Sequence, residues 1–505
     1  MRKVMAILAF VPIAAAFMAG CGGNGHHPTA NDVPVVLTIQ DQPPAGLTIV
    51  SFTVQITGVV LQGGTGGQST VSLLSSPVTV NLSDLQTMNS LLASTSAPAG
   101  TYSGIMITFA NASMTVLNNS NSTFTDGTTS CPPAGTLTTT CTLAPTFNPT
   151  STTVTTSPFP ITLASGTPVN IGLDFNSSES IANANGTLSI APSVTVTTNT
   201  TTNATTGNLN DFTNVTGQVT AVGSNQFTVT DTSTGQPLTL GVANSTAFNN
   251  FNTGTTCTTA NTFACIQKNQ IVSLNFGTTG AAGSTPTVSS ISLQNGISQG
   301  VQGTVIGVNP DTNSIQVVIT SVTPAFATAN SDVSVGKVVN VNPGTTAAFS
   351  VESNGQTIPA GLNFTSINNV AVGQSVVLDS TGFTAGTGGA NGTLTTDQVM
   401  LAPTQFGGTI NSLNSTNQSF TVNGLNGLFT TNGTQIVNVD TGTTTSFTGV
   451  TGGFTGLTNG NNLTVGGLLF ETPTGPVLVG QQVNVDGTTV ATGTAGTAFG
   501  NMASQ

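Results

Sequence analysis

An all-β chain is predicted by three observations: threonine and valine are abundant, 59 glycines and many asparagines break the sequence into short runs, and only 4 % of residues are charged. Threonine and valine favour strands, while Gly and Asn supply the positive-φ positions of tight turns. Strong helix formers are comparatively sparse. The length of 505 residues implies three or four units, since domains cluster near ~100–150 residues. A hydrophobic fraction of 37 % allows cores to form and sets the chain apart from disordered sequences. The expected architecture is an N-terminal β-sandwich with one short helix, followed by three small β-barrel-like repeats.

The N-terminus carries Arg2 and Lys3, then the apolar run VMAILAFVPIAAAF and small residues up to Cys21. That order predicts a secretory signal over residues 1–20. The run is shorter than the ~20 apolar residues a spanning helix needs. Met18-Ala19-Gly20-Cys21 resembles the lipobox of bacterial lipoproteins, with Met18 where leucine is usual. The resemblance implies that the Cys21 sulfur receives a diacylglyceryl group, that cleavage occurs before it, and that the new amine is acylated, palmitate being the expected chain. Two or more chains make a stable anchor. Residues 21–33 then form a flexible tether. Gly22 in place of an aspartate favours outer-membrane sorting under the same resemblance. His26 and His27, adjacent in this linker, make no closed metal site.

Residues 34–198 read as the sandwich. VPVVLTIQD, LTIVSFTVQITGVVLQ, STVSLLSSPVTVNL and YSGIMITFANASMTVL are alternating or apolar runs broken by Gly, Pro and Asn, as half-buried strands should be. In NLSDLQTMNSLLAS, Ser83 and Gln86 form a capping-box pattern, and Leu85, Met88, Leu91 and Leu92 share a helical face. The one short helix is expected there. IQDQPPAG, FTVQITGVVL, VNLSDLQT, PAGTYSGIMI and LDFNSSESI follow one another in the order of a bacterial lipoprotein family, domain of unknown function 4382, which this unit resembles. Gln42 separates Asp41 from proline, and Asn176 stands where the closing motif has a second aspartate. The resemblance implies a sandwich and carries no established activity.

A polar low-complexity linker is expected at 199–212. Three repeats follow, at 213–296, 297–404 and 405–490, with a tail at 491–505. GQVTAVGSNQFTVT, GTVIGVNPDTNSIQVVIT and GTINSLNSTNQSFTVNG are each strand, polar turn and strand. Each copy continues with a block ending in Phe248, Phe349 or Phe447. Later come KNQIVSLNF, AVGQSVVLD and LVGQQVNVD. The pattern resembles a second bacterial family, domain of unknown function 5666, whose small barrels would be filled by alternating side chains and hold no deep pocket. The first copy has Lys268-Asn269 in place of a Val-Gly pair, which leaves its barrel turn open to question.

The remaining cysteines are expected to pair as Cys131 with Cys141 and Cys257 with Cys265, stapling short loops in an oxidising compartment. Their spacings do not match zinc ligands. Gly296-Ile297-Ser298-Gln299-Gly300 matches a nucleophile-elbow pattern, but a strand pattern follows it where a helix is required. No histidine lies outside the tether to serve Ser298 as base. Asp311 and Asn313 in NPDTNSI have calcium-loop spacing without its glycine or terminal glutamate, so a hairpin turn is expected. Proton transfer near neutral pH favours His or environment-shifted acids and lysines. Here the acids are scattered singly, and only Lys268 and Lys337 are basic beyond the N-terminus. These observations predict no catalytic residues, metal or cofactor, and no nucleic-acid partner, which would need clustered Lys or Arg. The expected role is a non-catalytic, lipid-anchored protein of the cell envelope, a stalk or an adhesion and interaction module; the alternative is a binder of polysaccharide or a cation, and a carboxylate hydrolase ranks last. With few titrating groups, stability is expected to vary little with pH.

Overall fold

The computed structural model describes residues 32–485, except short stretches at 43–47, 65–68, 87–88, 120–121, 134–138, 203–206, 232–233, 252–256, 280–283, 295–299, 331, 354–355, 388–389, 431–432 and 435. The chain is all-β, with helices of six residues or fewer among these residues. In the N-terminal unit the parallel pair Asp32–Gln42 and Val169–Asn176 forms the middle of a four-stranded sheet flanked by Ser90–Pro98 and Val194–Asn199. A seven-stranded sheet built around Ile49–Gly63 and Gly100–Asn118 packs against it. Alternation fills the space between them: Val33, Val35, Leu37 and Ile39 point inward from one strand, and Phe52, Val54 and Ile56 from another. Phe175 meets Phe52 and Phe109 edge-on, with ring centroids at 6.1 and 5.5 Å.

The helix expected around Ser83 is absent. Leu82–Asp84 forms a single 3₁₀ turn, Leu91 and Leu92 lie on the strand Ser90–Pro98, and Met88 falls outside the described residues. A helix of so few residues has an unfavourable nucleus. The strand gains a ladder against Asp32–Gln42 running from Ser90↔Ile39 to Pro98↔Asp32. Among the unit's described residues the one α-helical turn is Ser177–Ser180. The polar stretch expected as a linker is bounded more tightly than its composition suggests, because strands end at Asn199 and restart at Asn210.

Three closed five-stranded barrels follow, spanning 210–293, 300–402 and 404–485. In each the strand order is first, second, third, fifth, fourth, and the third and fifth run parallel. Apolar side chains fill the interiors, for example Leu240, Leu274 and Phe276 in the first. The turn into each fourth strand has one construction. Asn269, Gly373 and Gly460 adopt φ of 74°, 92° and 88°, and their N–H groups donate to Val219, Val305 and Ile410 of the first strands. The next residue, Gln270, Gln374 or Asn461, accepts with its side-chain oxygen from the backbone N–H three positions earlier.

This geometry corrects two readings. Asparagine tolerates the left-handed region, so the first barrel keeps its turn without the Val-Gly pair. In the third barrel the fourth strand is Asn462–Phe470, and the described part of LVGQQVNVD, 478–485, lies on the fifth, Val477–Val485.

The barrels close on one another as a ring. Gln294 Nε2 of the first donates to Glu352 Oε2 of the second at 3.0 Å, and Gln374 Nε2 of the second to the Leu469 carbonyl of the third at 2.9 Å. Gln482 Nε2 of the third donates to Thr213 Oγ1 of the first at 2.6 Å. The sandwich touches all three. Val36 and Leu91 join the first barrel's core, Asn81 Nδ2 donates to the Thr320 carbonyl of the second, and Gln405 Nε2 of the third donates to the Asp84 carbonyl.

Candidate functional site

The segment VNLSDLQ turns a corner where the four units meet. Asn81 is buried; its Oδ1 accepts from the Phe52 N–H, and its Nδ2 donates to Asp84 Oδ2 at 2.9 Å as well as to Thr320. The 3₁₀ turn after it presents Asp84 to a cavity of about 120 Å³. The sandwich contributes Asp84, Gln86 and Ser90 to the lining, the first barrel Thr216 and Asp231, the second Gln302 and Gly373, and the third Gln405 and Phe429. A single water needs about 10–15 Å³, so the space holds several waters or a small hydrated ligand.

Asp84 and Asp231 are the titratable side chains of this lining. Burial pushes the Asp84 carboxyl up to about 7; the Asn81 hydrogen bond opposes this and the charge of Asp231 adds to it. Asp231 is 4 % exposed. Ser90 is also 4 % exposed, and its Oγ has no hydrogen-bond partner. A buried hydroxyl left unpaired carries a desolvation cost of about 1–3 kcal/mol. The expectation of flat pH dependence is therefore revised: few groups titrate, but buried ones are strongly perturbed.

The motif carboxylates behave differently. Asp41 pairs across the sheet with Phe175, and Asp174 with Gln40, so the two acids point to opposite faces and share no pocket. Burial holds Asp41 well above the usual carboxylate range, against the hydrogen bond donated by Ser177 Oγ at 2.5 Å. Asn176 accepts from the Glu179 N–H at 3.1 Å and caps the helical turn, a role Asn and Asp fill equally well. Tyr102 is buried and donates to the Pro98 carbonyl at 2.9 Å, which explains why Pro and Tyr sit four apart in PAGTY.

The sulfurs of Cys131 and Cys141 lie 2.08 Å apart, and those of Cys257 and Cys265 lie 1.86 Å apart. The first pair joins Ser130–Cys131 to Thr139–Leu143, strands of different sheets. Cys21, His26, His27 and Ser298 lie outside the described residues. Pro310–Thr312 is the turn between two paired strands, with Asn309 Oδ1 accepting from the Thr312 N–H and Asn313 at φ 48°. NPDTNSI is thus a hairpin turn.

Sequence reasoning missed Asp231 and Ser90, which no local pattern marks. Asp84 carried a signal, since it lies inside the VNLSDLQT motif. Among the described residues no group of three or more His, Cys, Asp or Glu is placed to hold a metal ion, and no helix is long and apolar enough to cross a membrane.

Compared with known families, residues 33–192 match Domain of unknown function (DUF4382). The match covers the sandwich and ends before the barrels. No curated protein and no solved structure matches the chain.

Proposed function

We propose that this is a non-catalytic, lipid-anchored protein of the bacterial cell envelope, held at the outer membrane through Cys21, and that its body serves as an interaction module. The barrels are read as repeats of domain of unknown function 5666 on the pattern quoted above. The observation that carries the module reading is the linking of four units by side-chain hydrogen bonds, which brings each barrel against the other two instead of setting them in an extended row. A flexible stalk would gain nothing from a contact between Thr213 and Gln482. Beyond the tether the chain has no histidine, the most frequent general base. Cys21→Ala is the test of anchoring. The variant is expected in the soluble envelope fraction, and its retention with membranes at the wild-type level overturns the reading.

A second reading, a ligand-binding envelope lipoprotein, is favoured by the cavity. Two carboxyls and several amides converge there from units that need not have met. Its lining holds no Lys, Arg or His, so it suits a neutral or cationic ligand.

A further inference from the structure

We propose that the edge strand Val194–Asn199 of the sandwich is a pairing surface for the same strand of a second copy of this chain, joining two four-stranded sheets into one across a two-fold axis. The pairing needs neither the lipid anchor nor a ligand, so it stands or falls independently of the functional reading.

The two edges of that sheet differ. Ser90–Pro98 is protected: its ladder with Asp32–Gln42 shifts register between Leu37 and Thr38, it ends in a proline, and its Leu91 enters the core of the first barrel. Bulges, proline and a covering element are devices that keep a sheet edge from pairing with another chain. Among the described residues Val194–Asn199 has none of them. It holds no charge and no proline, its ladder with Val169–Asn176 runs from Val194 to Asn199 without a shift, and Thr195, Thr197, Thr198 and Asn199 are exposed. Beside it the edge of the other sheet, Ser151–Val154, is also uncharged.

The free backbone groups follow from the ladder. The Asn176 N–H donates to the Ser193 carbonyl at 3.0 Å, in register with Phe175↔Val194. Hydrogen-bonded pairs alternate along an antiparallel ladder, so Thr195, Thr197 and Asn199 turn their N–H and C=O groups toward Val169–Asn176. Val194, Val196 and Thr198 turn theirs outward, where no described strand pairs with them.

The strand's own sequence selects the occupant. Laid antiparallel about an axis at Val196, Val196 meets Val196, Val194 meets Thr198 and Thr195 meets Thr197 of the second copy. The outward N–H and C=O groups then face one another, and the buried valines keep to the core side. The exposed threonines lie side by side, a favourable cross-strand pair. A slip by one residue would set valine against threonine across the two faces, which fixes the register.

The test is sedimentation of the full chain in density-matched detergent micelles. A dimer is expected with Kd on the order of 10⁻⁶–10⁻⁵ M, because a contact of one strand a side is at the small end of specific interfaces. Thr195→Cys combined with Thr197→Cys should trap it as a disulfide-linked dimer on oxidation, since facing residues of a non-hydrogen-bonded pair have Cα atoms about 4.5 Å apart. Either substitution alone should give at least about fivefold less of that product, because like positions lie diagonally, roughly 7–8 Å apart. Thr198→Pro removes an outward N–H and leaves the ladder to Val169–Asn176 intact, and should weaken association at least about tenfold. Both native disulfides and a cooperative unfolding transition show that this variant folds. A chain that remains monomeric well above the expected Kd, a Thr198→Pro variant that associates as wild type, or a dimer that the paired cysteines fail to trap each overturns the edge pairing.

Discussion

The turns that lead into the fourth strands of the first and second barrels share their backbone but not their surroundings. Asn269 and Gly373 are both left-handed, and both donate to the first strand of their own barrel at 2.8–2.9 Å. Asn269 carries a side chain there. At Gly373 a Cβ would lie 2.5 Å from the Phe429 ring of the third barrel. One turn closes a barrel; the other also forms the surface on which a neighbour rests. The glycine is therefore required twice at the second position, by its φ and by its neighbour, and is dispensable at the first.

Four experiments break or sharpen this contrast. Gly373→Val should cost most, about 2–5 kcal/mol, from a β-branched residue in the left-handed region and from overpacking against Phe429. Denaturant unfolding checks it, and a loss under about 1 kcal/mol would contradict the contact. Replacing Cys257 and Cys265 together by alanine should cost the first barrel roughly 2.5 kcal/mol of loop-closure stabilisation. Hydrogen exchange in the second barrel, whose corresponding excursion has no cysteine, should stay at the wild-type rate.

The third experiment is on pH. The folded state holds the Asp84 proton up to about 7, whereas an unfolded aspartate releases it near ~3.9. Stability from this group is thus complete below the lower value and is lost as pH rises toward the higher one. Unfolding midpoints should fall across that interval, and Asp84→Asn should flatten the slope; a slope identical to wild type would show that Asp84 does not contribute. The smallest effect belongs to Asn269→Gly, which should stay within about 1 kcal/mol of wild type because either residue accepts the turn.

How much of this could be read from the residues depended on the range of the interaction. The hairpins beginning at Gly217, Gly303 and Gly408 were visible because a polar turn between two apolar runs is a local signal. The last block of the third repeat slipped by a strand because the turn into its fourth strand reads Asn459-Gly460, while a Val-Gly pair, Val479-Gly480, lies on the fifth strand. The helix expected at Ser83 failed where a ladder with Asp32–Gln42 outweighed a local capping pattern. The cavity was invisible for a simpler reason. Asp84 and Asp231 belong to separate units, and nothing in either neighbourhood states that the units will face each other. The cysteine pairs sit at the other extreme, eight and ten residues apart, and their proximity needed no tertiary knowledge.

The bond from Gln482 back to Thr213 joins residues 269 positions apart. Joining them demands that the whole intervening polypeptide be laid down first, so the closed triangle is the last thing the molecule acquires as it is made. A chain shortened within its third barrel would leave Thr213, Asn214 and the polar chamber beside them open to water, while the first two barrels would stay joined by Gln294 and Glu352 around a centre that nothing closes.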